Sequence, residues 1–348
     1  MADFLAQEPH KRYNLLTGEW ILVSPQRNKR PWQGQKDLPL VQTNLSYEAS
    51  CYLCPGNTRL GGQKNPNYSK TYSFVNDFAA LLPTEKKQSY QKGLLKASSA
   101  SGICKVLCFS PNHSLTIALM QQEQVEDIVQ LWIQEFEELA NLSGINYIQI
   151  FENKGALMGC SNPHPHGQIW AQHSIPNELL KKQKKQLEYY QQNQHGLLAD
   201  YLNQELKMQE RIVLQNDHFV ALVPFWAVWP FETMIIPRRQ QPTISTLSGS
   251  EQKAFADIIR RLTIRYDNLF QTSFPYSSGI HQAPCDGQKH PEWHFHMSFY
   301  PPLLRSASVK KHMVGYELFA NPQRDITAEK AAALLAALPD EHYSRIAL

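Results

Sequence analysis

Two histidines alternate with two prolines in the run Pro163-His164-Pro165-His166, which Gly167 and Gln168 follow. Proline fixes φ and disfavours helical geometry in the residue before it, so the run predicts an extended segment with both imidazoles on one face. A neutral imidazole is nucleophilic near neutral pH, and its attack on phosphorus gives a reactive phosphoramidate suited to group transfer. Gln168 could donate its amide to a non-bridging phosphoryl oxygen. The alternative is an edge strand whose histidines only form hydrogen bonds, but the clustering of two histidines favours chemistry.

A Cys-x-x-Cys motif, Cys51 to Cys54, precedes a Pro-Gly turn that can bring both thiols to one metal ion. The chain has no second such motif, so the other ligands of a zinc site would be histidines, and His113 and His164 are the best placed. Such a four-coordinate site is closed and structural, and it would hold His166 in place through the intervening proline. A redox pair of thiols is the alternative, disfavoured because no thioredoxin-like βαβ pattern surrounds the motif.

Composition and charge limit the class of protein. The 348 residues are 42% hydrophobic and 19% charged, which is typical of a globular chain of one large or two ordinary domains. A net charge of +3 argues against a nucleic-acid or membrane partner. No secretion signal or membrane-spanning apolar run is evident, so we predict a cytoplasmic protein whose cysteines are thiols or metal ligands.

Helical periodicity covers residues 122–142 and 177–208, and the second segment carries a run of lysines that we interpret as a solvated face. Residues 146–152 alternate like a strand and lead through a glycine-bearing loop to the histidine run. Backbone N–H groups in such a loop can approach a phosphate closely.

The elements of the first half recur in the second. Residues 76–83 and 216–224 each combine an Asn-Asp pair, an apolar strand and a closing proline. A helical segment at 250–270 and a His-x-His strand at 294–299 then repeat the earlier helix and histidine run. Chance similarity of short apolar strands is the alternative. We predict an α+β fold of two related halves with a mostly antiparallel sheet and packed helices. The predicted boundaries are 1–176 and 177–348.

Two further polar segments are candidates for ligand contacts. A basic loop follows the short strand at 20–25, and it suits a phosphate as well as it suits simple solvation. Its basic residues are Arg27, Lys29 and Arg30. A second segment near the C-terminus has polar side chains that could reach sugar hydroxyls. They are Lys311, Tyr316, Glu317 and Gln323.

The run Gly159 to Trp170 resembles the signature of galactose-1-phosphate uridylyltransferases, a branch of the histidine-triad superfamily. The resemblance covers nearly the whole chain. Its other segments are 12–14, 18–25, 76–81, 231–233 and 300–307. It implies exchange of a uridylyl group between UDP-glucose and galactose 1-phosphate, by double displacement through a uridylyl-histidine on His166.

The resemblance also implies roles for individual residues. The family's zinc ligands fall on Cys51, Cys54, His113 and His164. Its nucleotide contacts fall on Leu60, Asn76, Asp77, Asn153, Ser161 and Gln168, and its phosphate-side arginines on Arg27 and Arg30. Its sugar contacts, which come from the partner subunit, fall on Lys311, His312, Tyr316, Glu317 and Gln323. The resemblance therefore implies a homodimer with shared sites.

One part of the family pattern is altered. Similar bacterial chains carry a second metal site of one glutamate and three histidines, often assigned to iron. His281 and His296 match it, but Lys182 stands at the glutamate position and Ser298 at that of the third histidine. An ammonium group repels a cation, and His294 as a substitute would leave three ligands without a carboxylate. We predict no tightly held iron.

Two other functions are consistent with parts of the sequence. A histidine-triad relative could hydrolyse or phosphorolyse another nucleotide with the same nucleophile. Such hydrolases have His-x-His-x-His, whereas Gln168 replaces the third histidine here, which favours transfer over hydrolysis. A non-catalytic zinc protein that binds nucleic acid is disfavoured by the nearly neutral charge.

Overall fold

The computed structural model of the chain describes residues 3–29, 45–84 and 88–346. Its α-helices are α1 (Phe4–Gln7), α2 (Gln122–Ala140), α3 (Asn177–Asn193), α4 (Leu197–Met208), α5 (Gly249–Phe270), α6 (Tyr316–Phe319) and α7 (Ala328–Ala336). Its strands are β1 (His10–Tyr13), β2 (Trp20–Val23), β3 (Tyr72–Val75), β4 (Ser89–Lys92), β5 (Leu95–Ser98), β6 (Gly102–Cys108), β7 (Tyr147–Lys154), β8 (His166–Gln172), β9 (Ile212–Gln215), β10 (Phe219–Leu222), β11 (Thr233–Pro237), β12 (Tyr276–His281), β13 (His296–Tyr300), β14 (Leu303–Ser306), β15 (Val309–Lys310) and β16 (Gln323–Arg324). Within the described ranges, no helix has the length and apolarity needed to span a bilayer.

A nine-stranded sheet forms the centre of the fold, in the order β3-β6-β8-β7-β12-β13-β11-β10-β9. All of its neighbouring strands are antiparallel. The predicted α+β class with a mostly antiparallel sheet is therefore confirmed.

The strand order of the sheet repeats. Outward from the β7–β12 contact, the strands are β7, β8, β6 and β3 on one side and β12, β13, β11 and β10 on the other. In chain order each set is therefore third, fourth, second and first, with α2 or α5 connecting the second strand to the third, and β9 adds a ninth strand beyond β10. The two connecting helices pack against each other, and the rings of Trp132 and Phe255 meet at a centroid distance of 6.5 Å. The related halves thus form one continuous sheet.

The start of β8 is closely packed. Side chains along β8 alternate between buried and partly buried, which is the period of a strand between a core and a more open face. A Cβ added at Gly167 would lie 2.7 Å from the ring of Phe109 and 2.9 Å from the carbonyl oxygen of Phe151. Only glycine fits there, so this packing fixes the backbone between His166 and Gln168.

Two predicted elements are wrong in detail. Residues 76–83 form no strand, because the Asn76 side chain accepts a hydrogen bond from the Phe78 backbone N–H at 2.9 Å and turns the chain after β3. The single helix predicted over 177–208 is two helices, since Gln194 adopts a left-handed conformation with φ of 58° and ends α3.

The lysine run on α3 is interpreted from the sequence as a solvated face, and this interpretation is wrong for one of its lysines. Lys184 is exposed, whereas Lys182 is only 6% exposed and its side chain points toward the sheet. A helix turns 3.6 residues per turn, so neighbouring lysines face different surroundings.

Candidate active site

His166 is the first residue of β8, and it lines two neighbouring cavities. The larger has a volume of about 300 Å³ and the smaller one of about 50 Å³. The smaller cavity is also lined by Asn153, Ser161 and Gln168, three residues for which the sequence predicts contact with substrate. The structure thus brings the predicted nucleophile and part of the predicted nucleotide site together.

The His166 ring has a defined tautomer. Its Nδ1 lies 2.6 Å from the carbonyl oxygen of His164, and a carbonyl can only accept a hydrogen bond, so Nδ1 carries the proton. The lone pair of the neutral ring is therefore on Nε2. Burial lowers the pKa of His166 below its usual value, which favours this neutral and nucleophilic form.

The Gln168 amide is also oriented. Its Oε1 accepts a hydrogen bond from the indole N–H of Trp170 at 3.2 Å, and an indole nitrogen is only a donor. This contact directs the oxygen toward Trp170 and leaves the Nε2 hydrogens of Gln168 available to an acceptor in the smaller cavity. The arrangement suits stabilisation of a phosphoryl oxygen.

Four buried side chains converge beside the histidine run: Cys51, Cys54, His113 and His164. Their ligand atoms all lie within 4.8 Å of one another. Nδ1 of His113 and Nδ1 of His164 lie 3.6 and 3.5 Å from the Cys54 sulfur. Two thiols and two imidazoles at this spacing are able to bind a metal ion with tetrahedral geometry.

Hydrogen bonds orient His164 toward this cluster. Its Nε2 lies 2.8 Å from the carbonyl oxygen of Ser110, so Nε2 carries the proton and Nδ1 presents its lone pair to the thiols. Tyr68 and Asn162 also contact His164, at 3.2 Å from Nε2 and 3.0 Å from the backbone nitrogen. Ser110, Tyr68 and Asn162 are not assigned a supporting role in the sequence analysis, because their contacts with His164 depend on how the segments fold together.

The protonation states of the cluster residues also favour binding of a cation. Burial raises the pKa of the Cys54 thiol to about 11 and lowers that of His164 to about 4. The imidazole is therefore neutral and ready to bind a metal. Thiolates in such a buried place require a nearby positive charge, which a divalent ion supplies.

Glu152 is a buried carboxyl group in the larger cavity that the sequence did not single out. Burial raises its pKa to about 7, although Lys154 and a hydrogen bond from Tyr276 at 3.1 Å oppose the shift. Lys154 itself forms a buried ion pair with Asp267 at 2.8 Å. Glu152 and Lys154, two alternate positions at the end of β7, thus place charged groups beside Asp267 of α5.

The remaining predicted nucleotide contacts lie near the end of β3, two strands from β8. Leu60 is 64% exposed, and Asp77 accepts a hydrogen bond from the backbone of Gly61 at 3.2 Å. Arg59 lies 3.5 Å from Asp77, so the loop that carries Leu60 is tied to the segment after β3. Neither cavity beside His166 is lined by Leu60, Asn76 or Asp77.

The five predicted sugar contacts line one cavity of about 510 Å³. They are Lys311, His312, Tyr316, Glu317 and Gln323. Lys311 and Glu317 form an ion pair at 2.7 Å, and Arg27 lines the same cavity through its contact with Asp325 at 3.1 Å. Arg30 lies outside the described residues. Among the residues that the structure does describe, none lines both this cavity and those beside His166.

Comparisons with known proteins agree over nearly the full length of the chain. Two family models match: the N-terminal domain of galactose-1-phosphate uridyl transferase over residues 3–176, and its C-terminal domain over 181–347. The galactose-1-phosphate uridylyltransferase of Haemophilus influenzae is 48% identical over 97% of this chain and 96% of its own. That of Saccharomyces cerevisiae is 47% identical over 98% of this chain and 97% of its own.

Solved structures give the same fold. A uridylyltransferase structure superposes with a TM-score of 0.74 at 25% identity, covering 94% of this chain and 97% of its own. An ADP-glucose phosphorylase from Arabidopsis thaliana with bound ADP-glucose has a TM-score of 0.75 at 22% identity, covering 95% of this chain and 100% of its own. The second likeness concerns the fold alone. The geometry of the site, both family models and relatives of nearly equal length all lead to one assignment: the chain belongs to the galactose-1-phosphate uridylyltransferase family.

Proposed function

We propose that His166 performs the uridylyl transfer of this family by double displacement. As a member of the family, the chain is a nucleotidyltransferase that exchanges a uridylyl group between UDP-glucose and galactose 1-phosphate. The observation that supports His166 is its hydrogen bond to the His164 carbonyl, because it leaves the lone pair of Nε2 free at the cavity.

In the first step, Nε2 of His166 attacks the α-phosphorus of UDP-glucose. An N–P bond forms, the P–O bond to the β-phosphate breaks, and glucose 1-phosphate leaves. The proton stays on Nδ1, where the His164 carbonyl stabilises the developing positive charge. In the second step, a phosphate oxygen of galactose 1-phosphate attacks the same phosphorus, the N–P bond breaks, and UDP-galactose is released. Gln168 donates to a non-bridging oxygen in both steps.

Zinc is the metal that best suits the cluster of Cys51, Cys54, His113 and His164, because two thiolates and two imidazoles are its usual structural ligands. Bound there, it would supply structural support without taking part in bond making. The chain's own residues then act through position. His164 joins the cluster by its ring and orients His166 by its carbonyl oxygen.

A complete site requires two chains in this proposal. The sugar-contact residues and His166 line separate cavities, which supports a homodimer in which each chain supplies one part of each site.

Within the chain, we propose that residues 1–176 contribute the nucleophile and metal cluster and residues 177–348 the sugar-contacting segment. Six free cysteines, two of them in the cluster, favour a reducing compartment such as the cytoplasm.

The test uses UDP-glucose labelled in the uridylyl group. We expect acid-labile label on the wild-type protein and on His173→Ala, a control beyond the end of β8, and none on His166→Ala. Addition of galactose 1-phosphate should move the label into UDP-galactose. Label that persists in His166→Ala would disprove the role of His166, and rapid discharge by water without acceptor would indicate a hydrolase.

A further inference from the structure

The C-terminal half contains a second pair of oriented histidines. Nε2 of His294 lies 2.8 Å from the carbonyl oxygen of Pro237, and Nδ1 of His296 lies 3.0 Å from the carbonyl oxygen of His294. His164 and His166 form the same two kinds of hydrogen bond in the first half. Since both carbonyls can only accept hydrogen bonds, the protons are on Nε2 of His294 and Nδ1 of His296, and the lone pairs are on Nδ1 of His294 and Nε2 of His296.

The second histidine pair differs from the first in the groups that surround it. His296 is completely buried, and its Nε2 lies 3.2 Å from Nζ of Lys182, which α3 inserts against the sheet. The ring of His281 stacks on that of His296 at a centroid distance of 4.9 Å. Because Nε2 of His296 is an acceptor, the lysine is the donor of this contact, whether it is an ammonium or a neutral amine.

The donors do not fit the iron site that the family pattern implies. A metal ion needs lone pairs that converge, but Lys182 directs N–H groups at the nitrogen that would be the ligand. Ser298, at the position of the third histidine, is a poor ligand for iron. Among the described residues, the only group of three or more histidine, cysteine or carboxylate ligands that converges is the one around Cys54.

The surroundings of Lys182 combine burial with carboxylates. Burial lowers the pKa of Lys182 to about 7, and the charges of Glu232 and Glu178 oppose this shift by favouring the ammonium form. Glu232 is 6% exposed and is held by the backbone N–H groups of Val228 and Trp229 at 2.7 and 3.1 Å. Negative charge is therefore present near the place where a metal ion would otherwise supply positive charge.

We propose that the amine of Lys182 takes the place of a metal ion in the C-terminal half, joining α3 to β13 and occupying the one nitrogen of His296 that could react or bind metal. The substitution makes this half independent of a transition metal. It also explains why the second histidine pair is no second nucleophile, since its free nitrogen faces a lysine inside the protein. The inference does not depend on the reaction proposed for His166.

Measurement of the metal bound per chain tests whether Lys182 takes the place of a metal ion. Wild type, Cys54→Ser and the double variant Lys182→Glu/Ser298→His are incubated anaerobically with Fe(II), desalted, and analysed by plasma mass spectrometry. We expect the double variant to retain an additional ion per chain relative to wild type. A transition metal retained by wild type beyond the amount that Cys54→Ser loses would overturn the proposal.

A stability measurement covers the case in which the double variant does not fold. Lys182→Met removes the donor and leaves Nε2 of His296 buried without a partner, whereas Lys184→Met changes an exposed lysine of the same helix. We expect the Tm of Lys182→Met to be lower than that of Lys184→Met by several degrees. Equal Tm values for the two variants would refute the proposed contact.

Discussion

Nδ1 of His166 lies 2.6 Å from the carbonyl oxygen of His164, so the backbone of one histidine determines the tautomer of the other. The ring of His164 is itself held by the Cys54 sulfur at 3.5 Å and the Ser110 carbonyl at 2.8 Å. Two contacts through His164 therefore connect the metal-ligand cluster to the proposed nucleophile, and Ser110 supports the ring between them.

Gln168→Ala removes the amide that we assign to the phosphoryl oxygen. We expect the rate of the first half-reaction to fall by about 10²- to 10³-fold, the effect of losing one donor to a developing oxyanion. Single-turnover release of glucose 1-phosphate measures it. Gln172→Ala, at the other end of β8, is the control and should react at nearly the wild-type rate. Equal rates for the two variants would contradict the assignment.

Cys54→Ser removes a ligand from the centre of the cluster. We expect loss of bound zinc, a lower Tm and a reduced kcat, because the His164 ring loses its anchor and the His166 backbone becomes less well positioned. Cys285→Ser, a free cysteine outside the cluster, should keep the metal content and activity of wild type. Full activity in metal-depleted Cys54→Ser would argue against the positioning role.

A subunit-mixing experiment tests the shared site. His166→Ala and Glu317→Ala are each expected to be nearly inactive as homodimers. If one site combines His166 of one chain with Glu317 of the other, random mixing should restore about a quarter of wild-type activity, since half of the dimers would be mixed and each would have one intact site. No recovery after verified exchange of subunits would place both residues in one chain's site.

Glu152 should make stability depend on pH. Burial raises the pKa of Glu152 in the folded protein to about 7 from its ordinary value of 4.5, so the folded protein binds more protons than the unfolded one between these values. Stability due to Glu152 is therefore present below pH 4.5 and is lost as pH rises to about 7. The charged groups around it are Lys154 on β7 and Asp267 on α5, with Tyr276 on β12 as a hydrogen-bond donor.

Glu152→Gln removes this titration. We expect its Tm, measured without substrate, to rise relative to wild type as the pH increases from about 4.5 to about 7 and then to keep a constant difference. Glu137→Gln, which changes an exposed carboxyl on α2, provides the comparison. A constant Tm difference across this pH range would contradict the raised pKa.

The sequence predicted features that depend on local periodicity or on distinctive side chains. Apolar spacing located α2 and α5 to within about two residues at each end, as is usual for long amphipathic helices. The four members of the metal cluster were identified because cysteine and histidine are few and their lone pairs are strong ligands.

Other features depend on contacts between distant segments. Tyr68 and Ser110 support His164 across 96 and 54 residues of sequence, so no local pattern could identify them. Lys182 belongs to a charged run, and its burial is decided by β13, more than a hundred residues away. The strand expected after Asp77 fails because a side-chain hydrogen bond of Asn76 competes with strand geometry.

Among the described residues, the pairing of β7 with β12 is the only ladder that joins the four strands of the first half to the five strands of the second in the central sheet, and it aligns Ile150 with Ile280. A fragment cut near residue 176 would therefore expose an unpaired strand edge with an apolar face. We expect such a fragment to aggregate or to pair with a second copy of itself. The second half of the chain must therefore be synthesised before β12 can cover the β7 edge of the first half. Early termination of synthesis would yield an aggregation-prone product.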